Sequence, residues 1–340
     1  MLDKLFSVLN FLSPAQACVL MYHRVAKPPS DVWKIAVDPS NFEQHAQILQ
    51  KKYRVVSLHE LAAARAHKAL KKNTVALTFD DGYVDNFLVA KPILDHYQLP
   101  ATFFIASGGI DQPSEFWWDE LEHIVLFTEA LPPLFSSTIA GQATEFALGA
   151  EAQLSRALRQ QHQRWDACTE APPTQRAGLF LQLWQQLRPL AQAEQQLHLQ
   201  HLRRWAGVAP SARPDYGSMS SAQLQSLGRG GLHTIGAHTV SHPALAFHAP
   251  AYQRRELVEN RAFLEKILAK QVDLVAYPYG NYSRETMAVA AAAGFRVGFT
   301  TEPKAVRHQS DTYCLGRFQV ANVPGPSFAQ QLRQWQKKRN

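Results

Sequence analysis

Short apolar runs and longer amphipathic stretches take turns along this 340-residue chain, and that alternation limits the fold more than any other feature. The segments "ACVLMYH" (17–23), "YRVVSL" (53–58), "TVALTF" (74–79), "ATFFIA" (101–106), "HTIGA" (233–237), "VDLVAYP" (272–278) and "RVGFTT" (296–301) read as strands. Between them, "NFEQHAQILQKK" (41–52), "HELAAARAHKAL" (59–70), "DNFLVAKPILDHY" (85–97), "SSAQLQSLG" (220–228), "AYQRRELVENRAFLEKILA" (251–269) and "SRETMAVAAAAG" (283–294) read as helices, the third kinked or delayed by Pro92. Strands that alternate with helices predict an α/β fold with a parallel sheet, open or closed into a barrel.

Residues 111–215 break the rhythm. They open with "EFWWDELEHIVLF" and run on through Gln-rich, Trp-dotted stretches such as "LQLWQQLRPLAQAEQQLHLQHLRRWAG". An interruption of that length inside an α/β pattern is expected to be a subdomain rather than a loop. The expected organisation is therefore an N-terminal segment (1–16), an α/β core formed by residues 17–110 and 216–325, a helical insertion at 111–215, and a basic C-terminal helix or tail at 326–340.

Net charge is +7, from 35 Lys and Arg against 28 Asp and Glu. That balance favours anionic partners. The basic residues are scattered, with pairs at 51–52 and 71–72 and "QKKRN" at the end, so no clustered motif points to nucleic acid. Cys18, Cys168 and Cys314 lie far apart with no C-x-x-C among them, which argues against a cysteine zinc site or redox pair, gives no disulfide framework and fits a reducing compartment. No run of 18 apolar residues predicts a membrane span. At the N-terminus, Leu2, Leu5, Phe6, Leu9 and Leu12 share one side of a short amphipathic helix that could rest on a membrane surface. A competing reading is a secretion signal ending at Ala15-Gln16-Ala17, which would leave the strand "CVLMYH" at the extreme terminus. The expectation is a protein of the cytoplasm or of the inner membrane face, with export as the alternative.

Chemistry concentrates at strand ends. In a parallel α/β fold, residues just past the C-terminal end of a strand face the functional mouth. Asp80 and Asp81 follow the apolar run 74–79, and Gly82 permits a tight turn behind them. Adjacent acids raise each other's pKa when they share a site, so a cation is the natural reason for placing them there. His238 and His242 follow the strand 233–237, and their spacing would set both rings on one side of a helical turn, suited to one metal ion. Two histidines and one carboxylate form a common catalytic zinc set with an open position, and zinc lowers the pKa of its water from 15.7 to about 7. The second carboxylate is then free to act as a base. "AYPYGNYS" (276–283) follows another strand, and backbone N–H groups in such a turn can point at a developing oxyanion.

Together, "TFDDG" (78–82), "HTVSH" (238–242) and "YPYG" (277–280) resemble the motifs of the polysaccharide deacetylase family, carbohydrate esterase family 4, also called the NodB-homology domain. The resemblance spans roughly 17–110 and 216–320. It implies a distorted (β/α) barrel of about seven strands that hydrolyses the N-acetyl group of an amino sugar. It implies Asp80 as catalytic base, Asp81, His238 and His242 as ligands of a divalent metal, and the Tyr279 backbone N–H as an oxyanion donor. Tyr277 of the same motif is counted with the substrate-binding candidates.

The chain departs from the family pattern in two places. The third motif normally starts with an arginine that orients the catalytic Asp, and Ala276 stands there. The late Leu-x-His motif that carries the general acid is absent after residue 300. "MYHRV" (21–25) is similar to the N-terminal segment of the biofilm poly-N-acetylglucosamine deacetylase branch, in which an early histidine takes the acid role. His23 is therefore the expected general acid, and Arg317, opening "RFQV", the expected substitute for the missing arginine. Trp117 and Trp118 are candidates for stacking on sugar rings, with packing of the insertion's first helix as the competing role.

The expected substrate is an N-acetylated amino-sugar glycan or a lipid-linked sugar. The expected metal is zinc, with cobalt, nickel and manganese as alternatives. The rival functions are hydrolysis of another amide, a formamide or cyclic imide, and an inactive carbohydrate-binding protein.

Overall fold

The computed structural model describes residues 15–210 and 212–338. Most of the expected N-terminal segment, residues 1–14, lies outside the described residues. The strands are β1 (Ala17–Tyr22), β2 (Arg24–Val25), β3 (Ala36–Val37), β4 (Arg54–Val55), β5 (Thr74–Phe79), β6 (Ala101–Ile105), β7 (Leu134–Ile139), β8 (Gln142–Ala147), β9 (Thr234–Ala237), β10 (Leu274–Ala276), β11 (Val297–Phe299) and β12 (Phe318–Gln319).

Seven parallel strands adjoin in the order β11-β10-β9-β6-β5-β1-β12, and β4 pairs with the start of β5. The two ends of this path approach each other. A parallel bridge joins Phe299 of β11 to Leu315, three residues before β12, and the Thr300 N–H donates to the Leu315 carbonyl at 2.9 Å. The sheet thus curls into the expected distorted (β/α) barrel, closed by an irregular seam rather than a full ladder.

Strands β1, β5 and β6 are buried along their whole length. This is why they read as continuous apolar runs instead of alternating ones. Tyr22, Phe79 and Phe103 from three adjacent strands stack with centroid separations of 5.2 and 4.8 Å. Helices pack on the outside, and their starts are set locally. Ser57 with Glu60, Ser220 with Gln223 and Ser283 with Thr286 form capping boxes that satisfy backbone N–H groups at helix entry. Pro92 sits inside the first turn of Lys91–His96, after a π-helical segment Asn86–Ala90, where its missing N–H costs least.

Register decides what meets at the functional end. β1 and β5 pair from Ala17↔Thr74 through Tyr22↔Phe79. Their next residues, His23 and Asp80, therefore emerge side by side. β6 and β9 end level at Ile105↔Ala237, so His238 emerges at the same rim.

The insertion is not wholly helical, as its composition led us to expect. Helices Arg156–Arg164, Gln175–Leu187 and Gln192–Ala206 are preceded by an antiparallel hairpin, β7–β8. Its two-residue turn, Ala140 and Gly141, has φ of 49° and 76°, the mirror-image turn geometry that matches strand twist. The β-branched residues Thr138, Ile139 and Thr144 favour the extended state there. An apolar cluster of the insertion's own includes Trp117, Leu121, Phe135, Trp165, Phe180 and Leu199, and Val32 from the core side joins it. At the other end, the helix Gly325–Lys337 stacks Trp335 on Phe318 at 4.9 Å. No helix among the described residues is long and apolar enough to cross a membrane.

Candidate active site

The site begins where β5 stops. The Asp80 N–H still donates to the Tyr22 carbonyl at 3.0 Å, continuing the sheet pairing. Asp81 and Gly82 then turn sharply, with φ of 73° and 90°. A left-handed Asp is uncommon and costs free energy, so the surroundings must hold it. The turn aims the two carboxylates at different partners.

Asp80 faces Arg317. The guanidinium Nη1 and Nη2 donate to Oδ1 and Oδ2 at 2.6 and 2.7 Å, a bidentate fork. Arg317 is fully buried, and its remaining donors reach the Thr300 carbonyl at 3.0 Å and the Thr78 hydroxyl at 3.2 Å. Burial pushes the Asp80 carboxyl up, and the Arg317 charge and hydrogen bond, together with the nearby His238 and His23, outweigh burial and hold the group below its usual range. The expected replacement for the missing motif arginine is thus in contact with the expected base.

Asp81 faces the histidines. His238 Nε2 and His242 Nε2 lie 3.4 and 3.2 Å from Asp81 Oδ1. One ligand atom from each of the three lies within 4.8 Å of the others, and all three residues are buried. His238 Nε2 also stands 4.0 Å from Asp80 Oδ2. Burial raises the Asp81 pKa, but the facing His238 and His242 imidazoles bring it well below the ordinary value.

The pair does not ride on a helical turn. Residues after β9 form an irregular loop in which Thr239 and His242 take φ of 67° and 57°. Convergence comes from the neighbours instead. The Glu256 carboxylate accepts from the Val240 and Ser241 N–H groups at 2.9 and 2.8 Å and from the Ser241 hydroxyl at 2.8 Å. One helical turn further along Pro250–Leu268, the Asn260 amide donates to the Thr239 carbonyl and, at 3.0 Å, to that of Ile105. Sequence reasoning passed over Glu256 and Asn260. Their signal was two polar residues four apart on the inner face of a long helix.

These residues fit a divalent cation. The Asp81 Oδ1 atom is buried without a hydrogen-bond partner, although two imidazoles point at it. His238 Nδ1 lies 2.8 Å from the Ala276 carbonyl, which accepts a hydrogen bond from the Nδ1–H and leaves Nε2 as a lone-pair donor. A nitrogen–nitrogen–carboxylate set of this kind can hold a metal with a position to spare.

The cavity in front of these groups measures about 310 Å³, the lower end of the range for small-ligand pockets. His23 lines it, and its Nδ1 is buried without a partner. Tyr279 lines it too, in a left-handed conformation at φ 57°. The Trp118 ring stands 4.7 Å from His242 and its indole N–H donates to the Tyr83 hydroxyl at 2.9 Å. Trp33, Trp184 and Arg188 complete one wall, and sequence reasoning did not single them out.

Two substrate-binding candidates are misplaced. Tyr277 is fully buried and stacks on Tyr282 at 5.4 Å, away from the cavity, because it continues β10 into the barrel core. Trp117 is 5 % exposed and packs behind the wall, against Trp118 and Trp184.

Comparison with known proteins follows the same division. The sequence model of the polysaccharide deacetylase family matches residues 67–127 and 202–298. That match takes in Asp80, Asp81, His238, His242 and Tyr279, and leaves out His23, Arg317 and most of the insertion. A Bacillus subtilis (strain 168) relative named for polysaccharide deacetylase, YxkH, is 21% identical over 316 residues, covering 92% of this chain and 74% of its own. The poly-beta-1,6-N-acetyl-D-glucosamine N-deacetylase of Escherichia coli (strain K12) is 32% identical over 98 residues, 28% of this chain and only 15% of the relative. Among solved structures, a Streptococcus pyogenes deacetylase in complex with acetate superposes with TM-score 0.54 at 21% identity, over 94% of this chain and 99% of that one. IcaB from Ammonifex degensii does so with TM-score 0.56 at 18% identity, over 95% and 97%. Those two likenesses establish the fold. With both motif-bearing halves matched on either side of the insertion, and their residues gathered at one rim of a curled parallel sheet, the chain belongs to the polysaccharide deacetylase family of hydrolases.

Proposed function

We propose that the protein removes the N-acetyl group from an amino sugar of a polysaccharide, oligosaccharide or lipid-linked precursor, releasing acetate and a free amine. One observation carries the reading: Asp80 stands at the rim of the Asp81–His238–His242 cluster yet is committed to Arg317. A carboxylate so held is ionised, oriented and available as a base.

Asp81, His238 and His242 would hold a divalent metal, zinc first, with cobalt, nickel or manganese as alternatives. Bound there, the cation would supply a Lewis acid that acidifies water and polarises an acyl oxygen. The remaining work falls to side chains and backbone. Asp80 accepts the proton of the attacking water. Arg317 keeps Asp80 charged and fixed through both oxygens. His23, emerging beside Asp80 from the neighbouring strand, gives a proton to the leaving nitrogen, which cannot depart readily as an anion. The Tyr279 backbone N–H is the oxyanion donor, and the aromatic wall excludes water around the reacting carbonyl. The Arg317 contact also weighs against an inactive binding protein, since the function lost at Ala276 is supplied from elsewhere.

The test is metal content together with acetate release from N-acetylglucosamine oligomers, for wild type and Asp80→Asn. About one metal per chain, with turnover abolished in the variant and the metal retained, is the expected result. A chain that takes up no metal on reconstitution would overturn the reading. Metal without acetate release from any acetamido sugar would redirect the search to other amides.

A further inference from the structure

Arg188 is the one charged residue of the cavity that the preceding reading leaves without a task. It follows the last residue of the insertion's helix Gln175–Leu187 and lines the same cavity as Asp80, Asp81, His238 and His242. Its guanidinium carbon lies 4.8 Å over the Trp184 ring and 5.8 Å over the Phe247 ring. Trp184 is itself held by Trp33 at 4.6 Å, Trp117 at 6.4 Å and Tyr279 at 6.0 Å. Phe247 is 54 % exposed, at the outer end of this row.

The other buried or half-buried arginines of the insertion are engaged. Arg159 pairs with Glu129, Arg203 with Glu120 and Arg213 with Glu115, and Arg176 donates to backbone carbonyls. Among the described residues Arg188 makes no ion pair, and its Nε is buried with no hydrogen-bond partner. The carboxylates of the cavity cannot serve it, because Asp80 is committed to Arg317 and Asp81 to the histidines. A guanidinium attracted to an indole ring spends no N–H on an acceptor, and its donor edge matches the planar or tetrahedral oxygens of carboxylate and phosphate.

We propose that Arg188 is a specificity-determining residue that receives an anionic group, phosphate or carboxylate, carried by the acetamido sugar or by its neighbour in the glycan. The inference rests on the deacetylase reading and deepens it by naming the charge of the substrate. Trp184 and Phe247 flank the anion site and give the adjoining ring apolar faces to lie against.

The experiment compares four acetamido substrates on the full chain: neutral di-N-acetylchitobiose, N-acetylglucosamine 1-phosphate, a short polyprenyl-diphosphate-linked N-acetylglucosamine, and a disaccharide of N-acetylglucosamine with a uronic acid. Wild type, Arg188→Gln and Arg188→Lys are assayed with each. The expected result is that Arg188→Gln raises KM for at least one anionic substrate by about 10- to 100-fold, the range for losing a hydrogen bond between charged groups. KM for the neutral dimer shifts at least about 10-fold less than that, and Arg188→Lys retains part of the anionic preference. Which anionic substrate responds separates a free sugar phosphate, a lipid-linked one and a uronate. Equal loss on neutral and anionic substrates would overturn the proposal and leave Arg188 as a wall residue. The anion site is tested apart from the deacetylase reading by intrinsic-fluorescence titration with N-acetylglucosamine 1-phosphate and the uronate disaccharide. Saturable binding in wild type that Arg188→Gln removes supports the anion site even without turnover, and no binding together with no anionic preference sinks it.

Discussion

Arg317 and Asp80 stand 237 positions apart and meet through two parallel contacts of 2.6 and 2.7 Å, with the arginine wholly buried. The pair joins the last strand of the sheet to one near its middle, across the open rim where the chemistry would occur. Removing one member strands a buried charge. Arg317→Met is therefore expected to destabilise the protein by about 3–5 kcal/mol. Arg317→Lys should also lose stability, since an ammonium cannot reproduce the fork. Urea unfolding checks this; a midpoint unchanged in Arg317→Met would mean the pair is not what anchors Asp80.

The loop bearing His242 is shaped by Glu256 rather than by its own conformational preference. Glu256→Gln keeps the side-chain volume but offers one of the three donors no acceptor. Outer-shell changes of this kind cost about 10- to 100-fold in metal affinity. Zinc titration against a competing chelator should show such a loss, in a chain that still melts cooperatively. Unchanged affinity would place the control of the loop elsewhere, with Asn260 the next residue to vary.

His23 is the candidate acid that the family model's match does not reach. His23→Gln is expected to lower kcat by about 10²–10⁴, the usual contribution of a positioned proton donor. Metal content should remain that of wild type, because His23 is outside the three-ligand cluster. A variant with full activity would assign the proton transfer to another group.

Asp119 sits behind the Trp118 wall, buried, accepting a hydrogen bond from the Tyr83 hydroxyl at 2.7 Å. Burial pushes its carboxyl up to about 8 from the ordinary 3.8, with Arg24 and Tyr83 only partly opposing. Between those values the native state keeps a proton that the unfolded chain releases. Stability from this group is thus full below about pH 4 and falls as pH rises toward 8. Glu122, pushed up to about 7 by burial, adds the same sign. Asp119→Asn should flatten the decline in Tm between pH 5 and pH 8. An identical slope in the variant would show that Asp119 is charged in the native protein.

Much of the site was legible before the fold was known. Asp80, Asp81, His238 and His242 all follow apolar runs, and a parallel sheet gathers such positions at one rim because every strand ends on the same side. The expected strand 74–79 matches β5 residue for residue. The hairpin β7–β8 was missed because short strands that mix Ser, Thr and Ala with few large apolar residues carry little apolar contrast, and its one sharp signal was Ala140-Gly141. Tyr277 shared a motif with Tyr279, yet the backbone turn at Tyr279 sends the two rings to opposite fates, one into the core and one to the cavity.

By itself, the sequence determined where strands and helices fall, and hence which acids and histidines cap the strands, because hydrophobic periodicity and capping act over a few neighbouring residues. Tertiary structure alone decided the partners. Register placed His23 beside Asp80, the barrel seam carried Arg317 to it, and folding of the insertion set Trp184 and Arg188 opposite the ligand cluster. Those relations join residues far apart in the chain, and only close packing of one element against another brings them within bonding distance.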